Sequence, residues 1–120
     1  MPRKPRQLNL LTTEQLHTLE LERDFQNRLT EFMRIEGWQV YSIPDSRRAS
    51  MKGYPDITAW RVEDQRLLFV ELKREKGRVS EAQIYVLDSL RALAPRIDCE
   101  VYIWRPSDWP TIEQVIARPT

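Results

Sequence analysis

Two short segments constrain this chain more than any other: Gly53-Tyr54-Pro55-Asp56-Ile57 and, 15 positions after Asp56 (71 − 56), Glu71-Leu72-Lys73 at the end of the apolar run Leu67-Leu68-Phe69-Val70. Such a run reads as a buried strand, and strand side chains alternate faces. Leu67, Phe69, Glu71 and Lys73 therefore share one side, and Leu68, Val70 and Leu72 the other. The pattern predicts a core face that ends in an acid and a base. An unpaired charge in such a place is expensive, so the two need each other, further polar groups or a metal ion.

Length and charge narrow the chemistry. At 120 residues the chain is expected to form one domain, 1–120, with a basic, proline-bearing tail over 1–7. A net charge of +1 gives no bulk attraction to polyanions, so nucleic-acid affinity must come from local clusters. No apolar stretch approaches the ~20 residues of a membrane span, and the basic N-terminus has no apolar run behind it. An intracellular protein is predicted, cytoplasmic in a bacterium or encoded by a phage, with a nuclear setting left open. One Cys99 and one His17 rule out an internal disulfide, a thiolate zinc site and a histidine-rich site. Any metal must be held by oxygen, which points to Mg²⁺ or Mn²⁺.

Periodicity and punctuation predict the order α-β-β-β-α-β, an α/β fold with a small mixed sheet flanked by helices. A helix opens at Thr13 as its cap and runs to about Glu36, stopped by Gly37. Strands follow over 38–43, 56–60 and 67–73. A helix capped by Ser80 runs to about Leu93, a fourth strand spans 99–104, and a short helix lies near Ile112 to Ile116.

On a helical wheel at ~100° per residue, Leu29 and Met33 fall within about 20° of Glu22, and Phe25 and Gln26 within about 60°. Glu22 thus lies in the apolar stripe, whereas Glu20 and Asp24 face the other way. Gln83 has Val86, Leu87 and Leu90 around it by the same count, so both polar residues are expected to face the sheet that bears Asp56, Glu71 and Lys73. Each element also has a plain structural reading. Glu71 and Lys73 alone make a cross-strand ion pair. Ser80-Glu81-Ala82-Gln83 is a capping box. Glu22 can pair with an arginine, Cys99 is a small core residue, His17 is solvated, and the tryptophans pack. A second Pro-Asp pair, Pro44-Asp45, is set aside because Ser46-Arg47-Arg48 continues it as a turn, whereas Asp56 leads into a strand.

Taken in order, Glu22-Arg23-Asp24-Phe25-Gln26, Gly37-Trp38, Gly53-Tyr54-Pro55-Asp56, Phe69-Val70-Glu71-Leu72-Lys73 and Val79-Ser80-Glu81-Ala82-Gln83 resemble the PD-(D/E)XK nuclease superfamily, and within it the VRR-NUC (virus-type replication-repair nuclease) family. The chain departs from the family pattern at Val79, where leucine is common, and at the basic Arg74-Glu75-Lys76, where glycines are. The resemblance spans roughly Glu20 to Trp104 and implies a restriction-endonuclease-like core. It also implies phosphodiester hydrolysis, with Asp56, Glu71 and the Leu72 carbonyl holding Mg²⁺ or Mn²⁺. Glu22 would act directly or through water, Lys73 at the scissile phosphate, and Gln83 on water or Lys73.

Two clusters, Arg47, Arg48 and Lys52 before one acid and Arg74, Lys76 and Arg78 after the other, are expected to contact DNA phosphates. No base-reading motif accompanies them, which favours structure-selective over sequence-selective cutting. The resemblance implies branched DNA, four-way junctions especially. A homodimer would match their two-fold symmetry, with Trp104 to Ile116, Leu16 and Leu19 as candidate apolar surface. The competing readings are a flap, nicking or weakly selective nuclease, a non-catalytic DNA-binding module on the same fold, and a role without DNA.

Overall fold

Helix ends in this protein are fixed by short polar motifs. The computed structural model describes residues 12–43 and 50–119, the side chains of 17–20 apart. Helix α1, Thr13–Ile35, has its cap one residue earlier than the expected Thr13. Thr12 is the N-cap, because Gln15 stands three residues on and closes a capping box with it (Gln15 N to Thr12 Oγ1 3.1 Å, Thr12 N to Gln15 Oε1 2.8 Å). Its other end is a Schellman turn: the Trp38 amide donates to Met33 O at 3.0 Å and that of Gly37 to Arg34 O at 3.1 Å. Gly37 has the left-handed φ of 89° that this turn requires.

Strands β1 (Gln39–Ser42), β2 (Ile57–Arg61) and β3 (Arg66–Leu72) form an antiparallel meander, and β4 (Cys99–Trp104) joins β3 in parallel, giving the sheet order β1-β2-β3-β4. A parallel pair needs a crossover, supplied by α2, Glu81–Ile97. This helix outruns its expected end at Leu93 and passes through Pro95. The proline forfeits only the bond to the Arg91 carbonyl, in a mostly exposed last turn that solvent reaches, and the stop comes from Asp98 in left-handed conformation (φ 52°). A 3₁₀ turn, Pro106–Asp108, leads into α3, Trp109–Ile116. Among the described residues, no helix is long and apolar enough to cross a membrane.

The deepest core lies on the face opposite to the one expected. Ile57, Ala59, Leu68 and Val70 are fully buried, together with Leu29 and Met33 of α1 and Ile112 and Ile116 of α3. The other face, carrying Leu67, Phe69 and Glu71, is covered by α2, and Leu67 and Phe69 are only half-buried there. Three residues offered as association surface, Trp104, Ile112 and Ile116, are core. Leu16 is exposed, and Leu19 lies outside the described side chains.

The C-terminal end is pinned by two arginines stacked on Trp38, with Arg61 4.5 Å and Arg66 5.1 Å from its ring centroid. Arg61 is buried. It donates to Asp64 through two bonds of 2.8 Å and to the carbonyls of Glu36 (2.8 Å), Ile116 (3.1 Å) and Ala117 (3.2 Å). Arg66 grips Glu100 and donates to Val115 O at 2.8 Å. Guanidinium charge at the C-terminus of α3 also suits the helix dipole. Arg61→Met leaves the Glu36 and Ala117 carbonyls without these donors and is expected to cost roughly 2–4 kcal/mol in urea denaturation. Arg61→Lys, which cannot form the planar fork, should recover little of that.

Candidate active site

Asp56, just before β2, and Glu71, near the end of β3, lie opposite one another by continuation of the register Ile57↔Val70. Asp56 Oδ2 accepts the Leu72 amide at 2.8 Å, which ties the first acid to the strand of the second. The same register places Pro55 opposite Leu72. A proline has no N–H to offer, so it cannot occupy the Leu72 carbonyl that points to this side of β3. The Pro-Asp dipeptide thus does two things at once, supplying a carboxylate and sparing a backbone oxygen beside it.

Glu71 is 2% exposed. Its Oε1 accepts from Gln83 Nε2 at 2.9 Å, and Lys73 Nζ stands 3.9 Å from the same oxygen. Its Oε2 is buried with no hydrogen-bond partner among the described residues. Burial pushes the Glu71 carboxyl up to about 9; the charge of Asp56 acts in the same direction and Lys73 against it. Two acids this close, one with an orphaned oxygen, are short of positive charge. An oxygen-seeking divalent cation fits that deficit, and the donor set available to it is Asp56, Glu71 and the Leu72 carbonyl.

Gln83 serves cap and site together. Its Oε1 accepts the Ser80 amide at 2.8 Å while its Nε2 holds Glu71. The first turn of α2 is brought in by Gly53, which has φ 87° and lies so close to the Ala82 carbonyl that a Cβ would collide with it. Gln83 reaches Glu71 from the α2 face of the sheet, whereas Glu22 approaches from the α1 face. The two polar residues expected to converge therefore come from opposite sides. Glu22 stays at the rim of the cleft, 46% exposed, with Arg74 Nε 3.9 Å away. Among the described residues no group of three His, Cys, Asp or Glu side chains is close enough to hold a metal by itself.

Asp56, Glu71, Leu72, Lys73, Gln83 and Glu22 all line one cleft of about 810 Å³ between α1 and the loop 73–78. Of the basic residues read from sequence, Arg74, Lys76 and Arg78 line it and are exposed. Lys52 is exposed in the turn before Gly53, outside the lining. Arg47 and Arg48 lie outside the described residues. Sequence reading missed the clasp that holds the basic loop. Glu75 accepts from Ser107 N at 2.6 Å and Ser107 Oγ at 2.7 Å, and Arg105 Nη2 donates to Gly77 O at 2.8 Å. An acid inside a basic run is thereby engaged by a neighbouring segment, while it still lines the cleft. Arg28 was missed too, although it continues the stripe Leu21, Phe25 at i+7.

The model of the VRR-NUC domain family matches residues 11–105 of the 120. No curated protein and no solved structure matches.

A carboxyl raised in the folded state above its unfolded value of about 4.5 binds its proton more tightly when folded. Its contribution to stability is full below the unfolded value and is lost as pH climbs towards 9. In chelator, urea denaturation of the protein should show stability falling across that window, by at most about 1.4 kcal/mol per pH unit. Glu71→Gln should flatten the slope and be the more stable form at pH 8.

Proposed function

The chain belongs to the VRR-NUC domain family, a nuclease-type domain with DNA as its substrate, and from that premise we propose that it is a metal-dependent, structure-selective endonuclease hydrolysing phosphodiester bonds in branched DNA, four-way (Holliday) junctions above all. One observation carries this reading: the buried Glu71 carboxyl, with an oxygen that has no hydrogen-bond donor among the described residues, faces Asp56 beside a lysine in a cleft walled by Arg74, Lys76 and Arg78. A purely structural ion pair would use its acid fully, and this one does not.

In this reading Asp56, Glu71 and the Leu72 carbonyl hold Mg²⁺ or Mn²⁺. When bound, the cation acidifies a water and offsets charge on the phosphate. Lys73, half-buried beside Glu71, donates to a non-bridging oxygen of the scissile phosphate as negative charge builds there. Gln83 does no proton chemistry. By bonding Oε1 it fixes the Glu71 rotamer and leaves Oε2 as the oxygen offered. Glu22, at the rim, acts through water, and its loss costs less than that of either buried acid. Arg74, Lys76, Arg78 and, from outside the cleft lining, Lys52, with Arg47 and Arg48, bind the DNA backbone. Paired cuts across a junction need two clefts, so the active species is a symmetric homodimer.

Asp56→Ala and Glu71→Ala are expected to lower cleavage at least about 10³-fold while DNA binding persists, and Lys73→Ala to lower kcat about 10²–10³-fold with metal affinity unchanged. The assay is a panel of single-stranded, duplex, flap and four-way DNA with Mg²⁺ or Mn²⁺. Full activity of Glu71→Ala overturns the site. In light scattering the protein with a four-way junction is expected to be a dimer. A monomer would instead leave a flap, nicking or weakly selective nuclease, and binding without any cleavage a DNA-binding module.

A further inference from the structure

Beyond the acids and the basic loop, the α1 wall of the cleft carries one more cation. Arg28 lies six residues past Glu22, about 9 Å further along the helix axis. Its guanidinium carbon is 3.8 Å from the centroid of the Trp109 ring. That indole is itself held, tilted at 44° against Phe32 with centroids 5.7 Å apart, and half-buried against the core. Arg28 is exposed and lines the same cleft as Glu71. Among the described residues nothing accepts from its N–H groups. Asp24, one helical turn before it in the same lining, forms no ion pair with it.

An arginine stacked on a fixed ring has spent its face and kept its N–H edge. The stacking also removes in advance much of the rotamer freedom that phosphate binding would otherwise cost. Arg74, Lys76 and Arg78 stand on the opposite wall, so positive charge borders the cleft on both sides. We propose that Arg28 is a second phosphate-binding point, gripping the DNA backbone on the α1 side at a nucleotide away from the scissile one, with Trp109 as its positioning residue. This rests on the nuclease reading above and adds to it a polarity: the strand passes along α1 towards the start of α3. Arg28 takes no part in bond breaking, so it acts on binding.

The test is binding of labelled four-way and flap DNA over a salt series, with Ca²⁺ in place of Mg²⁺, together with steady-state cleavage in Mg²⁺. Arg28→Ala is expected to weaken binding about tenfold. It should also lower the slope of log K against log salt by about 0.7–0.9, the loss of one phosphate contact, and raise KM with little change in kcat. Arg28→Gln should behave like the alanine variant and Arg28→Lys keep the slope, a comparison that holds even if removing the side chain affects folding. Trp109→Leu should keep the slope while weakening affinity, because the charge remains but is no longer held. Unchanged affinity and slope in Arg28→Ala and Arg28→Gln, while Lys76→Ala shifts both, overturns this proposal alone. Wild-type protein that neither binds nor cuts any of these DNAs overturns the nuclease reading with it.

Discussion

A carboxylate buried near the end of a central strand is the constraint around which the rest of this protein is arranged. Glu71 sits where β3 is paired with β4 on one side, faces Asp56 on the other and is 2% exposed, so solvent cannot screen its charge. One oxygen is held by Gln83, and the other has no hydrogen-bond donor among the described residues and faces the Asp56 carboxyl. Burial and the neighbouring Asp56 both oppose ionisation, and Lys73 offsets them only in part. Such an arrangement is unfavourable as a contribution to folding and favourable as a receptor for a cation. That imbalance is what supports the proposed reading of the site as functional.

Holding that arrangement requires a stiff frame. The parallel β3–β4 pairing and the meander fix the strand ends, and the contact of Gly53 with the Ala82 carbonyl locks the turn before Asp56 to the first turn of α2. At the other end of the sheet, Arg61 and Arg66 clamp Trp38 and the last carbonyls of α3, which keeps α3 and α1 packed over the same face. Beside the site, the Glu75–Ser107 and Arg105–Gly77 bonds hold the loop that presents Arg74, Lys76 and Arg78. The cleft is thus held from both ends of the sheet while Arg74, Lys76 and Arg78 in its lining remain exposed.

Much of this is legible in the amino-acid order because it is local. Alternation along β3, the capping box of Ser80–Gln83 and the stop at Gly37 depend on residues within a few positions of one another. The cap half of Gln83's role is local too, whereas its bond to Glu71 reaches across to β3. Less legible were features set by distant packing. The deep core took the Leu68–Val70 face because α1 and α3 both lie there, and periodicity cannot say which of two apolar faces gets two helices. The helix over Pro95 continued because its last turn is exposed, a fact about surroundings rather than about proline.

By itself, then, the sequence determined the elements, their order, the two acids with their lysine and the oxygen-only character of any metal site. These follow from spacing, side-chain chemistry and the scarcity of cysteine and histidine. Tertiary structure decided that Glu22 and Gln83 come from opposite faces, that Pro55 falls opposite the Leu72 carbonyl, and that Glu75 bonds Ser107. It decided too that Arg28 rests on Trp109, a residue on another helix. Contacts between segments so far apart in the chain depend on how the helices dock on the sheet, and docking is a property of the whole core that no local pattern encodes.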